Sequence, residues 1–127
     1  MRTQDQERAQ HAYTQVQNIT DERQKAKFKT LALKFPAMVQ QCGLLQTLAF
    51  CEQKNIEVYN AITGWLAQQQ ILTPQAQNQQ GNETFFQRVC REEQLGPYRL
   101  LSREALAYGT WLKRAVEVLL KDVRAED

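Results

Sequence analysis

The chain has 127 residues and a net charge of only +2, from 16 basic and 14 acidic side chains, so its overall charge does not indicate a nucleic-acid partner. Hydrophobic residues make up 43% of the sequence, which predicts one compact domain over residues 1–127. No apolar run approaches the ~18 residues of a membrane span, and the polar N-terminus lacks the apolar stretch of a secretory signal, so we expect a soluble cytoplasmic protein with no membrane partner.

Apolar residues recur at helical spacing along the chain, and the strict alternation of a half-buried strand never extends beyond a few residues. The fold class is therefore predicted to be all-α, a single compact bundle of five to six helices. The first helix is predicted over residues 4–18, because Thr3 and Gln6 form the pattern of a capping box directly before an apolar stripe.

The second predicted helix begins after Thr20 and Asp21, which offer an N-cap, and extends as far as Gly43. Pro36 lies inside this helix, and we expect a kink or a break there because proline cannot donate the helical hydrogen bond. A short third helix follows Gly43 and ends near Lys54.

The fourth predicted helix is capped by Asn55 and continues to the stop signal at Thr73 and Pro74. The glutamine-rich residues at about 73–82 predict the main internal loop, which is solvated and too short to separate two domains. A fifth helix is predicted after this loop and ends before Gly96.

The last predicted helix is the longest, beginning either just after Pro97 or at Ser102 and ending at about Lys121. At 100° per residue, six basic side chains fall within a sector of about 100°, and the apolar side chains fall opposite. The six bases are Arg99, Arg103, Lys113, Arg114, Lys121 and Arg124. Glu117 is the one acid in this sector, and Arg99 belongs to it only if the helix begins before Ser102. The pattern fits phosphate binding, and it also fits an ordinary solvated helix face.

The second helix repeats this arrangement, since Arg23, Lys27 and Lys34 fall on the side away from Phe28 and Phe35. An arginine holds a phosphate through two parallel donors, and a lysine supplies a mobile point charge. Two such stripes suit contact with an RNA or DNA backbone that is independent of base sequence.

Aromatic residues are poorly placed for stacking on bases. Tyr108, Phe28 and Phe35 fall on the core faces of their helices. Trp111 flanks the core, where packing is the favoured interpretation and contact with a partner is the alternative. The basic stripes are therefore expected to follow a backbone without reading bases.

The sequence offers no combination of residues that is typical of a catalytic site. His11 is the only histidine and is placed on the polar side of the first helix, where a surface role is expected. Glu92 and Glu93 are adjacent, hence not on one helical face, and are expected to be solvated. The odd number and wide spacing of the cysteines fit neither a disulfide framework nor a zinc site, and we expect reduced, buried thiols. They are Cys42, Cys51 and Cys90. The sequence predicts no enzyme, no catalytic residue, no metal site and no cofactor.

Three stretches resemble one family: RAQHAYTQV at residues 8–16, KFPAMVQQCGLLQTLAF at 34–50 and YRLLSREALAYGTWLKRAVEVLL at 98–120. They are similar to the small all-helical subunit of the Cmr complex, the type III-B CRISPR RNA-guided ribonuclease. The last stretch is the most specific, because generic amphipathicity would not produce its combination of arginines with a W-L-K-R segment. Pro36 and Gly43 also match the family.

This resemblance implies that several copies stack as a minor filament along backbone subunits, which hold the guide RNA and cleave the target RNA. The small subunit is then not the nuclease, and its basic surface borders the groove where target pairs with guide. By the resemblance, the residues that contact RNA are Lys34, Arg99, Arg103, Lys113 and Arg114. Lys27, a sixth candidate, rests on the helical wheel alone. The implied partners are the other Cmr subunits, further copies of this chain, the guide RNA and the target RNA.

Other classes of function compete with this interpretation. A helix-turn-helix DNA-binding regulator would use the short helices between Phe35 and Leu66, but residues 55–70 hold no lysine or arginine for a major groove. A helical adaptor that binds only protein would direct its basic stripes at acidic partners. The small subunit of the type III-A complex is a near neighbour of the favoured family.

Overall fold

Seven α-helices occupy the part of the chain that the computed structural model describes, residues 1–78 and 81–126. In chain order they are α1 (Gln4–Gln17), α2 (Glu22–Cys42), α3 (Leu44–Lys54), α4 (Ile56–Gln68), α5 (Pro74–Gln77), α6 (Phe85–Arg91) and α7 (Leu95–Leu119). These residues contain no strand, which confirms the predicted all-α class, and the seventh helix is the single turn α5. Within the same ranges, no helix is long and apolar enough to cross a membrane.

Side-chain caps begin α1, α2 and α4 where the sequence predicts them. Thr3 and Gln6 form the reciprocal capping box of α1. The Asp21 side chain accepts a hydrogen bond from the backbone N–H of Gln24 at 3.3 Å, and Asn55 accepts from two backbone N–H groups in the first turn of α4. Each cap satisfies donors that the first helical turn leaves without an intrahelical acceptor.

Pro36 does not break α2, which runs as one helix to Cys42, so of the two predicted alternatives, a kink or a break, the break is wrong. A proline inside a helix costs about 3 kcal/mol through the lost hydrogen bond and the clash of its ring. Phe35 and Val39 flank it and are both buried in the core, so packing anchors the helix on either side of the proline and offsets this cost. Gly43 ends the helix with a φ of 84°, a value that side chains rarely adopt.

Helix α7 begins at Leu95, before Pro97, and ends at Leu119. Both sequence alternatives for its start, after Pro97 and at Ser102, are therefore too late. Proline is tolerated in a first helical turn because the N–H it lacks would have no acceptor there. The early start keeps Arg99 in register with the rest of α7.

The predicted internal loop contains more structure than expected. Helix α4 already ends at Gln68, and Pro74–Gln77 form the single turn α5. Arg88 and Arg91 of α6 donate hydrogen bonds to backbone carbonyls of this segment. Two residues of the predicted loop, at 79 and 80, lie outside the described ranges.

The core is centred on α7, which packs against both α1 and α2. Tyr108, Phe28 and Phe35 are all buried, as predicted. Gly109 explains how closely α2 approaches α7, because a Cβ built on it would lie 2.4 Å from Cδ2 of Phe35. A glycine inside a helix costs roughly 1 kcal/mol relative to alanine, and here it makes room for a buried aromatic ring.

A cluster of polar and aromatic side chains joins α1, α4 and α7. We name it the junction network, formed by Arg8, His11, Trp65, Glu104 and Tyr108. The Arg8 guanidinium binds both carboxylate oxygens of Glu104, at 2.7 and 2.8 Å, and the Trp65 indole donates to the same carboxylate at 2.8 Å. Trp65 and Tyr108 stack with ring centroids 5.4 Å apart, and Nδ1 of His11 lies 2.6 Å from the Tyr108 hydroxyl. The predicted surface role of His11 is therefore wrong, because it is half-buried in this network.

The three cysteines are free thiols, but only Cys51 is buried. Burial raises the pKa of the Cys51 thiol to about 12, which keeps it protonated. Cys42 and Cys90 are exposed, because they occupy the solvent side of the last turns of α2 and α6, and for them the expected burial is wrong.

Candidate nucleic-acid interface

Four of the predicted basic residues lie on one face of the regular helix α7. We name them the α7 stripe: Arg99, Arg103, Lys113 and Arg114. The three arginines are exposed and Lys113 is half-buried. Lys121 and Arg124 follow the end of α7 at Leu119, so the helical wheel does not place them in the stripe, contrary to the sequence prediction.

Arg114 is held in place by a neighbouring ring. Its guanidinium carbon lies 5.6 Å from the ring centroid of Trp111, within range of a cation–π contact. The Trp111 indole donates to Asp5 at 3.1 Å and packs against the core, which confirms the packing interpretation. Hydrogen bonds from Trp111 and Arg8 lower the pKa of Asp5, so its carboxylate stays ionised.

Glu104 is next to Arg103 in the sequence but does not neutralise the stripe. Its side chain turns into the junction network, where Arg8 and Trp65 bind it. Desolvation raises the pKa of Glu104, and the hydrogen bonds from Arg8 and Trp65 outweigh that effect and hold it below its ordinary value. Arg8 also pairs with Asp5 at 2.8 Å, so its guanidinium is shared by two carboxylates, and the Glu104 side chain faces the junction network and not the stripe.

The basic residues of α2 differ in their exposure, and two of them have contacts that support the fold. Lys25 pairs with Glu22 at 3.2 Å. Lys29 donates to two backbone carbonyls just beyond α7, those of Leu120 and Val123, each at 2.8 Å. The predicted site residues of α2, which are Lys27 and Lys34, are both exposed, as is Arg23 near its start.

Lys27 and Lys34 meet a third lysine, Lys54, because α3 turns back along α2 after Gly43. Together they line a cleft of about 120 Å³, which we name the lysine cleft. Its lining is Lys27, Thr30, Leu31, Lys34, Phe50, Lys54, Asn55 and Glu126. Among the described residues, no member of the α7 stripe belongs to this lining, so the candidate interface has two separate parts.

Phe50 and Lys54 are the cleft residues that the sequence analysis missed. The Phe50 side chain is 41% exposed at the cleft, although the sequence predicts no well-placed aromatic ring. The two residues are four apart on α3 and therefore share one helical face. This spacing is the one feature of the local sequence that relates them to each other. Their position beside the lysines of α2 follows from helix packing.

Groups suited to metal binding are not assembled in the described ranges. No three His, Cys, Asp or Glu side chains there come close enough to hold a metal ion. Desolvation lowers the pKa of His11, which favours its neutral form. Glu92 accepts hydrogen bonds from the backbone N–H groups of Thr73 and Gln94, so its expected role as free solvated surface is wrong. Its neighbour Glu93 is exposed, as expected.

The fold and the site define a class: a small all-helical protein with a basic surface in two parts. The family model for a CRISPR-associated protein (Cas_Cmr5) matches residues 4–119, from the first residue of α1 to the last of α7. The "CRISPR system Cmr subunit Cmr5" of Thermus thermophilus is 33% identical over 122 residues, covering 96% of this chain and 100% of that protein. The chain therefore belongs to the Cmr5 family, the small subunits of the type III-B Cmr complex, as the resemblance in the sequence predicts.

A crystal structure agrees with this assignment. The chain is similar to a CRISPR-associated Cmr5 family protein from Thermus thermophilus, with a TM-score of 0.61 and 32% identity. The match covers 93% of this chain and 98% of that chain. The helical arrangement described above is thus the fold of that family.

Proposed function

We propose that this chain is the non-catalytic small subunit of a type III-B CRISPR ribonucleoprotein, acting in the cytoplasm, where copies of it stack as a minor filament and contact the RNA backbone beside the guide–target duplex. The observation that carries the proposal is the α7 stripe, four bases on one face of a regular helix whose opposite face is buried. Their neighbouring acid, Glu104, turns away from the stripe and pairs with Arg8 in the junction network.

Backbone contact suits these side chains better than recognition of bases. Arginine and lysine bind phosphates through charge and hydrogen bonds, and such contacts carry no sequence information. In RNA-guided complexes the pairing between guide and target reads the sequence. A subunit that contacts only the backbone would therefore serve any guide.

Assembly is expected to be necessary for firm RNA binding, because a net charge of +2 gives one copy little attraction for RNA. Leu100 and Val118 of α7 are 54% and 52% exposed, and they offer apolar contacts to neighbouring subunits. We expect the purified chain to be a monomer or a weak small oligomer. Tight, salt-resistant RNA binding by the purified chain would contradict this part of the proposal.

The non-catalytic role has its own test. RNA incubated with the purified chain and Mg²⁺ or Mn²⁺ should stay intact. Cleavage that survives stringent purification and disappears when one acidic residue is changed would refute the role.

The main experiment measures how salt affects target-RNA binding by the reconstituted complex. If about four lysines and arginines of each copy contact phosphates of a single strand, the subunit contributes a log–log slope of about −3, and a fourfold rise in salt weakens binding by about 50-fold. Changing both Arg103 and Arg114 to Ala should reduce the slope by about 1.4 units.

The matched control changes Arg2 and Lys25 to Ala, which removes the same charge away from the α7 stripe and the lysine cleft and should leave the slope unchanged. If the Arg103 and Arg114 variant enters the complex normally and its salt slope is unchanged, the α7 stripe is only a solvated helix face. Failed incorporation with unchanged RNA affinity would assign it to a protein interface, as a protein-only adaptor requires.

A further inference from the structure

The guanidinium of Arg114, a member of the α7 stripe, rests against an aromatic ring. Arg114 follows Trp111 by three residues, so the two side chains lie on the same side of α7, and the guanidinium carbon is 5.6 Å from the centroid of that ring. A surface arginine otherwise samples many rotamers, and a ligand that it binds must immobilise it. A guanidinium that already rests on a ring loses less of this freedom when a phosphate binds.

The Trp111 ring is itself oriented by a residue from the other end of the chain. Its indole N–H donates to Oδ1 of Asp5, in the first turn of α1, at 3.1 Å, and the ring packs against the core. The same Oδ1 accepts a hydrogen bond from Arg8 at 2.8 Å. Arg8 in turn binds Glu104 of the junction network at 2.7 Å. A continuous series of contacts therefore joins the junction network to Arg114.

Burial does not require the hydrogen bond between Asp5 and Trp111. The Asp5 side chain is 65% exposed and Trp111 is half-buried, so water could satisfy both polar groups. An exposed hydrogen bond of this kind adds little to the free energy of unfolding. It does fix the rotation of the indole, because the N–H has to point at α1. The orientation of the ring then decides where the Arg114 guanidinium rests.

The charge of Asp5 and its hydrogen bond act in opposite directions on an anionic ligand. Hydrogen bonds from Trp111 and Arg8 lower the pKa of Asp5, so its carboxylate is ionised at neutral pH and repels a phosphate. The same carboxylate favours phosphate binding when it keeps the Trp111 ring in place under Arg114. A substitution that removes the charge and keeps the acceptor separates the two effects.

We propose that Asp5 and Trp111 are positioning residues for RNA binding: Asp5 orients the Trp111 indole, and the ring holds the Arg114 guanidinium ready for a phosphate of the RNA backbone. The inference rests on the proposed function and adds to it two residues that are not basic. It makes an acidic residue of α1 a contributor to the binding of an anion.

The experiment compares two substitutions of Asp5 in the reconstituted complex. Asp5→Asn and Asp5→Ala both remove the charge, but only asparagine keeps a side-chain oxygen that can accept from the indole. Asp5→Ala should therefore bind target RNA about threefold more weakly than Asp5→Asn, an effect of the size expected when one arginine loses its preset orientation. Because the Asp5 side chain is exposed, both variants should fold.

Glu7, the other acid in the first turn of α1, provides the matched control. Glu7→Gln and Glu7→Ala remove the same charge from the same end of the helix, and the two variants should bind RNA equally well. If the Glu7 variants differ as much as the Asp5 variants do, the effect belongs to alanine in this turn and the proposal is overturned.

The role of Arg114 is tested by repeating the comparison in an Arg114→Ala background. Once the guanidinium is gone its orientation no longer matters, so Asp5→Ala and Asp5→Asn should bind RNA equally. Trp111→Phe keeps a ring but has no N–H, and it should also remove the difference between the two Asp5 variants. A difference that persists in the Arg114→Ala background would contradict the proposal.

NMR of the isotopically labelled full chain gives a readout that does not depend on RNA. The sequence has two tryptophans, and the indole N–H signal of Trp111 is the one that Trp111→Phe removes. Asp5→Ala should shift this signal and the Nε–H signal of Arg114, because ring and guanidinium lose their fixed geometry. Asp5→Asn should shift the Arg114 signal less. If Asp5→Ala leaves the Arg114 signal where it is in the wild type, Asp5 does not position Arg114.

The failure of this inference can be told apart from the failure of the proposed function. If Arg114→Ala weakens RNA binding while the two Asp5 variants bind alike, the positioning role is wrong and the proposed function stands. If the variant with both Arg103 and Arg114 replaced binds RNA normally with an unchanged salt slope, the proposed function fails and the inference fails with it.

Discussion

The junction network and the lysine cleft are both built where helices meet, and both combine charged with aromatic side chains, yet they are arranged in opposite ways. In the junction network, Arg8 meets Glu104, and the Trp65 and Tyr108 rings stack in the core. In the lysine cleft, three lysines line one surface cleft together with Glu126, and the Phe50 ring is exposed. The first cluster lies in the packed interior between three helices, whereas the second lies at the surface.

This difference separates charges that serve folding from charges that serve binding. A buried ion pair makes each partner depend on the other, because removing one leaves an uncompensated charge away from water. Exposed like charges contribute little to stability and can be removed at almost no cost. The free energy of unfolding should therefore fall sharply for variants of the junction network and hardly at all for variants of the cleft.

The largest effect is expected for Glu104→Ala, which leaves the Trp65 indole without its acceptor and removes one of the two carboxylates that bind Arg8, the other being Asp5. Loss of one partner from a buried pair costs about 3–5 kcal/mol, and because the Arg8 and Glu104 side chains keep 17% and 11% exposure we expect about 3 kcal/mol. Urea unfolding measures this loss. Glu117→Ala, on the exposed side of α7, is the control and should stay within about 0.5 kcal/mol. Equal losses in both variants would show that the network does not stabilise the fold.

Gly109→Ala should be the next most damaging, since the added Cβ would lie 2.4 and 2.7 Å from two atoms of the buried Phe35 ring. Overpacking costs about 1–3 kcal/mol, against which the helix gains roughly 1 kcal/mol from replacing glycine. We expect a net loss of about 1–2 kcal/mol that is partly recovered when Phe35→Leu is combined with it.

The control for this prediction is Gly64→Ala. No atom lies within 4 Å of the Cβ position at Gly64, which is also inside a helix. That substitution should stabilise the protein by up to roughly 1 kcal/mol. If both substitutions stabilise the protein, α2 and α7 pack less closely at Gly109 than the structure shows.

His11 should make stability depend on pH. Desolvation lowers its pKa below the ordinary 6.5, so between these two values the unfolded chain binds more protons than the folded chain. The free energy of unfolding should therefore fall as pH falls below about 6.5, and level off below the folded-state pKa of His11.

Urea unfolding across pH 5–8 measures this effect, and His11→Gln should remove it. Glu104 does not interfere in this window. Its pKa is lowered from 4.5, so the stability that it contributes is lost only as pH falls further, through its folded-state pKa. A wild-type curve that matches that of His11→Gln would contradict the half-buried position of the imidazole.

The smallest effect is expected for Lys27→Ala combined with Lys54→Ala. Removing two like charges from the cleft should leave stability within about 0.5 kcal/mol, or raise it slightly. Lys29→Ala is the matched control on the same helix, because it loses two hydrogen bonds to the carbonyls of Leu120 and Val123 and should cost about 1 kcal/mol. A cleft variant as unstable as Lys29→Ala would mean that these lysines hold the fold together.

Local features were predictable because they depend on neighbouring residues. The capping box of Thr3 and Gln6 and the cap at Asn55 needed only a few residues of sequence, and both are confirmed. The α7 stripe was predictable in the same way, since helical periodicity places Arg103 and Arg114 on one face. The prediction fails for Lys121 and Arg124, because the helix ends at Leu119 and the periodicity ends with it.

Contacts between distant segments were not predictable from these patterns. His11 looked like a surface residue because its own helix places it beside polar neighbours, and only the approach of Trp65 and Tyr108 half-buries it. Helix propensity alone disfavours glycine at position 109, and only the approach of Phe35 from α2 accounts for the missing side chain.

The sequence by itself determined the all-α class, the positions of the caps and the basic face of α7, because each follows from the chemistry of residues within a few helical turns. It also carried enough family likeness to indicate a Cmr subunit. Only the tertiary structure decided that Lys27, Lys34 and Lys54 share one cleft with Phe50, because that depends on how α3 turns back along α2 after Gly43. Burial on one helix is set by the surface of another, and no pattern within a single helix contains that information.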